Sequence, residues 1–500
     1  MKATLSTGPA PSPTARVGSL RDPAHALQRV RLTSIRRALA CTAFACASLT
    51  GGTAFAEANP DATPEAPEAD LNIQAAQTGQ WTGVWTRETL LGDIGGLRPW
   101  LGKYGISFAL TETSELLGNL RGGLDTGAAY DGLTTATVQL DTQKAFGLPG
   151  GLFNVSGLNI HGRNLSSDKL GTLNTASGIE TDATTRLWEL WYQQSFLDKR
   201  VDVKIGQQSI DQEFITSQYS ALFVNTMFGW PALPSYDMPS GGPAYPLSAL
   251  GVRVRGQITP SLTALAGVFD GDPTGNNPDN LHGTNFNLHN GTMFIGELQY
   301  AINQPAEGEM VGMAKTGLPG TYKIGIWYNN GSFADQRFDN TGQLLGATGG
   351  TPLNHHGDYS IYAVADQMVW RPDPDEARSI GIFARVMGAP NDRNLVSLAA
   401  NLGVVMKAPF KGRDDDSVGL ALTYIKISPQ AREFDIDSGF VPRGSETALE
   451  ATYQYQVTPW WVLQADAQYT FNAGAGQNPN DPTKALRNTF VIGVRTNITF

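Results

Sequence analysis

From about residue 106 to residue 500 the chain repeats one pattern: short stretches in which apolar and polar side chains alternate, separated by turn-rich breaks. Successive side chains on a strand point to opposite faces, so each stretch predicts a strand with one apolar and one polar side. In "VDVKIGQQ", Val201, Val203 and Ile205 oppose Asp202, Lys204 and Gln208; in "LGVRVRGQI", Leu250, Val252 and Val254 oppose Arg253, Arg255 and Gln257. Sixteen stretches fit: 106–117, 132–142, 151–163, 185–196, 201–208, 250–258, 261–270, 292–301, 321–329, 357–369, 379–387, 396–407, 416–427, 446–456, 461–471 and 489–500.

A soluble sandwich shows the same alternation, so the period does not by itself say which solvent the apolar face meets. Three further features point to lipid. Most stretches are about nine to twelve residues long, which suits a tilted membrane-crossing strand better than the shorter strands common in globular sheets. Aromatic residues (Tyr300, Trp327 with Tyr328, Trp370, Trp460 with Trp461) sit near strand ends, where an interfacial girdle needs them. The connections alternate between long (such as 164–184, 209–249 and 271–291) and short (such as "LDKR" and "VTP"), with 302–320 as an exception. An even strand number with alternating loop lengths is the habit of bacterial outer-membrane barrels. The predicted fold is all-β: a 16-stranded antiparallel transmembrane β-barrel over 106–500, with a short N-terminal periplasmic helical segment (81–105) and an in-folded constriction loop.

The chain closes on "RNTFVIGVRTNITF", a strand running to Phe500. An open sheet edge in lipid would leave backbone groups unpaired, so this last strand must pair with the first. Phe500 looks like the terminal signal read by the barrel-assembly machinery, an expected partner.

The N-terminus reads as targeting sequence. Arg29, Arg31, Arg36 and Arg37 precede an apolar run, Ala38 to Leu49, and Ala54-Phe55-Ala56 is a cleavage motif, which makes 1–56 a signal peptide. Residues 57–80, rich in Pro, Ala and acids, predict a disordered periplasmic linker. Both cysteines, Cys41 and Cys46, fall in the leader. The leader also carries seven of the 36 basic residues and only one acid (Asp22) of 46, leaving 29 basic against 45 acidic side chains. That balance argues against a nucleic-acid partner. No G-x-S-x-G, H-E-x-x-H or phosphate-binding loop is present, so neither an enzyme nor a cofactor or metal site is expected.

From about Trp81 onward the chain resembles the carbohydrate-selective, OprB-like porins of Gram-negative outer membranes. The resemblance rests on "LLGDIGGLRPWLGKYGISF", "GNLRGGLDTGAAYDGLTTATVQLDTQKAFGLPGGLF", "TRLWELWYQQ", "GQQSIDQEFITSQYSALFVNTMFG" and, most specifically, "GGPAYPLSALGVRVR". It implies a sixteen-stranded outer-membrane channel admitting monosaccharides such as glucose by passive diffusion, with membrane lipid and small neutral sugars as partners. Large porins often trimerise, which makes a homotrimer a candidate assembly.

A barrel this wide holds water, so selectivity must come from a constriction. Loop 209–249 is the longest connection and is rich in Phe, Tyr, Trp and Pro, which predicts that it folds into the lumen; the alternative is a cap across the mouth. Sugars present apolar C–H faces and polar rims, so aromatic platforms and paired charges are expected to bind them. Trp230 and Phe228 are candidate platforms, or else anchors of the loop's own core. On 151–163, Leu158 and Ile160 are assigned to lipid, which turns Asn159, His161 and Arg163 inward. On 185–196, Trp188 and Leu190 are assigned to lipid and Glu189 inward. Arg163 and Glu189 then form the leading constriction pair, or a wall salt bridge. Arg253 and Arg255 are further inward charges, with Lys204, Glu297, Asp466, Arg385 and Arg495 in the same class. Two other functions remain open on the residues alone. An arginine ladder would suit a general or anion porin, and a soluble secreted glycan-binding protein would use the same alternation.

Overall fold

The computed structural model describes residues 83–275, 280–286, 288–304, 317–373 and 376–500. The predicted signal peptide (1–56) and linker (57–80) lie outside the described residues. The strands are β1 (Ile106–Arg121), β2 (Gly127–Asp141), β3 (Gly151–Gly162), β4 (Thr184–Phe196), β5 (Val201–Gln208) and β6 (Ala249–Thr259). They continue with β7 (Leu262–Asp270), β8 (Thr292–Ile302), β9 (Gly320–Asp339), β10 (Pro352–Trp370), β11 (Ser379–Gly388) and β12 (Val396–Lys407). The last are β13 (Ser417–Ile427), β14 (Ser445–Thr458), β15 (Trp461–Phe471), the short pair β16 (Gln477–Asn478) and β17 (Asp481–Ala485), and β18 (Thr489–Thr499).

Sixteen strands, all but β16 and β17, close into one antiparallel barrel in which each pairs with its chain neighbours and β18 pairs with β1. Closure removes the unpaired edge that lipid would punish. Each of the sixteen predicted stretches falls on one barrel strand. The largest difference is at β9 and β10. Their pairing continues past the apolar stretch through Asn354↔Ala334 and His355↔Phe333, so this hairpin is far longer than its alternating core. The extension is polar, as in "NNGSFADQRFD", and no alternation marks it.

The outside is apolar. Along β9 the outward positions read Tyr322, Ile324, Ile326, Tyr328, all exposed. Tyr322 pairs with Tyr300, while Tyr328 lies between Phe294 and Tyr359. Two aromatic rows about 20 Å apart along the strand thus border an aliphatic band, as the aromatic girdles of an outer-membrane barrel do. Trp327, expected at the girdle, instead points inward and is 1% exposed.

The short helix is narrower than its spacing suggests. Leu90, Leu91 and Ile94 lie in turns, and only Leu97–Gly102 is helical. Gly92, Gly95 and Gly96 all take positive φ, which breaks the helix before Leu97. This segment plugs onto the barrel's lower end: Leu90 N–H donates to Thr499 O (2.8 Å), and Arg98 donates to Phe108 O (2.9 Å).

The inward face carries more apolar side chains than a water-filled barrel would tolerate. Leu265, Phe269, Ile295, Trp327, Val364 and Met387 on the wall form one buried cluster with Phe214, Met227, Trp230 and Leu233 from the β5–β6 connection. That connection is inside the barrel, as its composition predicts.

Candidate functional site: a lumen narrowed by two inserted loops

Two connections leave the wall at the same rim and turn into the lumen: 163–183, between β3 and β4, and 209–248, between β5 and β6. Nearly every residue from Leu170 to Thr181 and from Leu222 to Asp237 is buried. Buried backbone must be hydrogen-bonded, and here the wall supplies the partners. Asp366 accepts from Ser217 Oγ (2.6 Å) and from the N–H of Gln218 and Tyr219. Glu297 accepts from Ile215 N (2.8 Å) and Tyr362 OH (2.9 Å). Glu450 accepts from the N–H of Val224 (2.6 Å) and Asn225 (2.9 Å). Glu446 accepts from the N–H of Leu173, Asn174 and Gly474. On the opposite sign, Arg385 donates to the carbonyls of Ile215, Met227, Phe228 and Gly229 at 2.7–2.9 Å. Charge-assisted bonds of this kind are the strong ones. The inward charges of β8, β10, β11 and β14 are therefore anchors for the inserts rather than free lumen polarity.

A second group lies where the 209–248 insert leaves β5. Glu213 pairs with Lys204 and with Arg253 Nε (2.6 Å). Asp202 pairs with Arg253 and with Arg255 (3.3 Å). Gln193 Oε1 accepts from Arg253 (3.1 Å), and the Lys204 ammonium sits 4.4 Å from the centre of the Trp191 ring. Burial pushes the Glu213 carboxyl up, but Lys204 and Arg253 more than offset this and bring it down to about 2. Three cations face two anions, and each cation has a partner. Beside this network the insert leaves Gln212 exposed and Glu213, Thr216 and Gln218 partly exposed. Below it the β1–β2 side of the wall presents partly exposed neutral side chains, among them Thr111, Thr135, Thr137 and Gln139. Asn497 joins this lining and accepts from Thr113 Oγ1 (2.6 Å). The amides, carboxylate and hydroxyl of Gln212, Glu213, Thr216 and Gln218 are what a polyhydroxylated ring can exchange water for, with the buried Lys204, Arg253 and Asp202 behind them.

The sequence-predicted residues divide sharply. Arg253 and Arg255 face inward and are buried, as expected. Glu189 also faces inward; it opposes Ser156 and accepts from Ser209 N (3.1 Å). Arg163 does not meet it. It lies beyond the end of β3, seven residues above Ser156, and is exposed. At about 3.4 Å per residue the two are separated by roughly 24 Å of strand. Asn159 and His161 point outward, not into the lumen: Asn159 Nδ2 donates to Thr185 Oγ1 (2.6 Å), and His161 lies beside Tyr130 and Glu112. Leu158 and Ile160 are the inward pair, packed with Leu133, Ile179, Trp188 and Tyr245. The physical reason is the insert. Where Ile179 and Tyr245 fill the lumen, the inward face must be apolar, and the rule that polar means inside reverses. On β4 the pairing skips Trp188, with Ser156 opposite Glu189 and Gly157 opposite Leu187. This bulge turns both Trp188 and Glu189 inward.

Phe228 and Trp230 are not platforms. Both are at most 1% exposed. Phe228 packs against Phe223 and Phe383, and Trp230 Nε1 donates to Gly241 O (2.8 Å). They are anchors of the insert. Nothing in the local pattern separates Asp202, Trp191 and Gln193 from other inward strand positions, or Glu213 from the rest of its loop, so the sequence alone does not single them out as site residues.

Residues 125–500 match the family profile described as carbohydrate-selective porin, OprB family. Porin B of Pseudomonas aeruginosa PAO1 is 26% identical over 442 residues, which cover 82% of this chain and 91% of that protein. The high-pH structure of OprB from Pseudomonas putida superposes with a TM-score of 0.70 at 24% identity, covering 83% of this chain and 99% of that one. The low-pH structure of the same protein superposes with a TM-score of 0.52.

Proposed function

Since the chain belongs to the carbohydrate-selective porins of the OprB family and is an outer-membrane sugar channel, we propose that it passes neutral monosaccharides such as glucose through an eyelet lined by Gln212 and Glu213 and backed by the buried Lys204 and Arg253. One observation carries this reading: each charge beside the opening has a partner of opposite sign, with Glu213 held between Lys204 and Arg253, and Asp202 between Arg253 and Arg255. Fixed dipoles of both signs orient hydroxyl groups, while an ion of either charge must shed water without finding an uncompensated partner. Glu189 and Arg255 stand behind this set and hold its geometry. An anion pore would need Arg253 and Arg255 free, and their carboxylate partners argue against it. We read the protein as a channel with no catalytic step, and β18, which pairs with both β15 and β1, as the strand that the barrel-assembly machinery handles.

The test is liposome swelling with refolded protein, comparing glucose with gluconate. Glucose should enter severalfold faster. Equal or faster gluconate entry would overturn the neutral-sugar reading.

A further inference from the structure

Where the 209–248 insert meets the wall, three buried side chains each keep one oxygen without a partner. Asp237 ends the insert helix Ala232–Asp237, Asp358 sits on β10 opposite Asn329, and Asn394 stands in the connection between β11 and β12. That connection leaves the wall at the same rim as the two inserts. Asp358 and Asn394 are at most 1% exposed, and Asp237 is 7% exposed. Asn394 Nδ2 donates to Asp358 Oδ1 (2.8 Å), and Asp237 Oδ1 accepts from the N–H of Val396 (3.1 Å), two residues beyond Asn394. These bonds fix one oxygen of each carboxylate beside the Asn394 amide. Asp358 Oδ2, Asp237 Oδ2 and Asn394 Oδ1 have no hydrogen-bond partner among the described residues.

The neighbouring charges do not neutralise this set. Arg393 attracts Asp358, but its guanidinium is bound to Asp392 (Nε to Oδ1 2.8 Å, Nη2 to Oδ2 3.0 Å), and the Asp392 charge repels Asp358. The remaining Arg393 nitrogen, Nη1, donates to Gly357 O (2.7 Å). Asp237 and Asp358 repel each other. Burial first, and Asp358 in addition, push the Asp237 carboxyl well above the usual carboxylate range. Buried carboxylates are normally paired or bound to a metal, because an isolated one is costly. No group of three acidic, histidine or cysteine side chains placed to hold a metal occurs among the described residues. A cation held here therefore takes a neutral oxygen as its third protein ligand, and Asn394 supplies it. Carboxylate and amide oxygens are the ligands of calcium, which completes a shell of about six to eight oxygens with backbone carbonyls and water.

We propose that Asp237, Asp358 and Asn394 form a calcium site that clamps the 209–248 insert to the wall near its rim. The ion joins three segments far apart in sequence: the insert, β10 and the β11–β12 connection. Its charge replaces the proton that burial otherwise imposes on Asp237, so calcium binding releases a proton and strengthens as pH rises. The site shares no residue with the opening at Gln212 and Glu213, and the inference is independent of which solute passes.

The experiment is equilibrium dialysis with radioactive calcium on the full chain, refolded in detergent without lipopolysaccharide and stripped with a chelator. One saturable site per chain is expected at pH 8, with a Kd of about 0.1–1 mM, the range of extracellular calcium modules. Binding should be at least fivefold weaker at pH 6, and magnesium should compete at least tenfold less well than unlabelled calcium. Asp358→Asn should weaken binding at least tenfold, with heat-modifiable migration reporting that the barrel is folded. Asn394→Ala, which keeps both carboxylates, should weaken it at least threefold and carries the comparison if Asp358→Asn does not fold. No saturable binding by the wild type up to about 10 mM calcium would overturn the proposal and leave a proton as the neutralising charge. Binding that is unchanged in a folded Asp358→Asn or Asn394→Ala variant would overturn it as well, because the calcium would then sit elsewhere.

Discussion

Replacing Arg385 by Met tests whether the wall holds the insert in place. Arg385 is 2% exposed and donates to four insert carbonyls, from Ile215, Met227, Phe228 and Gly229, and to Asn401 Oδ1. Methionine keeps much of the volume and removes every donor. A hydrogen bond to a charged group contributes about 1.5–3 kcal/mol, so four lost bonds set a ceiling of roughly 6–12 kcal/mol. Water already present in the lumen resolvates some carbonyls, and each acceptor left buried and unsatisfied costs about 1–3 kcal/mol. A loss of about 4 kcal/mol shifts the balance between docked and released insert about a thousandfold. The barrel itself, held by its inter-strand ladders, should stay closed. In planar bilayers Arg385→Met should show larger and noisier single-channel conductance, and in liposomes it should admit solutes larger than a monosaccharide faster than the wild type does. A folded variant with wild-type conductance and wild-type size exclusion would refute the anchoring argument, because five bonds would then have been removed without consequence.

Glu213 gives a prediction in pH. Its carboxyl is held at about 2, below the roughly 4.3 of an unfolded chain, so between these values the unfolded state binds the extra proton. The stabilisation it confers is complete above about pH 4.5 and is lost as pH falls towards 2. Near-ultraviolet circular dichroism should report loosening of the insert across that window, and Glu213→Gln should remove this part of the pH dependence. The same substitution leaves Lys204 and Arg253 with one carboxylate fewer, so gluconate entry relative to glucose should rise severalfold in liposome swelling. Trp230→Ala should cost about 3–5 kcal/mol of packing in the insert core, seen as protease cleavage within 209–248 while the barrel still migrates as folded.

The alternation along the chain determined the barrel, because a strand's two faces are set by neighbours two residues apart and lipid accepts only one kind of face. That is why 201–208, 396–407 and 461–471 were legible to the residue. The entry of loop 209–249 into the lumen was legible too, since so many aromatic and proline residues have no comfortable place in water. Its consequences were not. Leu158, Ile160 and Trp188 turn inward because Ile179 and Tyr245 wait there to cover them. The Trp188 bulge is a matter of register between two strands, and the outward turn of Asn159 and His161 follows from the same filled lumen. Arg385 finds its acceptors 156–170 residues away, a contact that no local period encodes. Local chemistry decides which side of a strand is polar only when one side meets lipid and the other water; once the chain fills its own lumen, the inner solvent is protein, and only the tertiary structure says where.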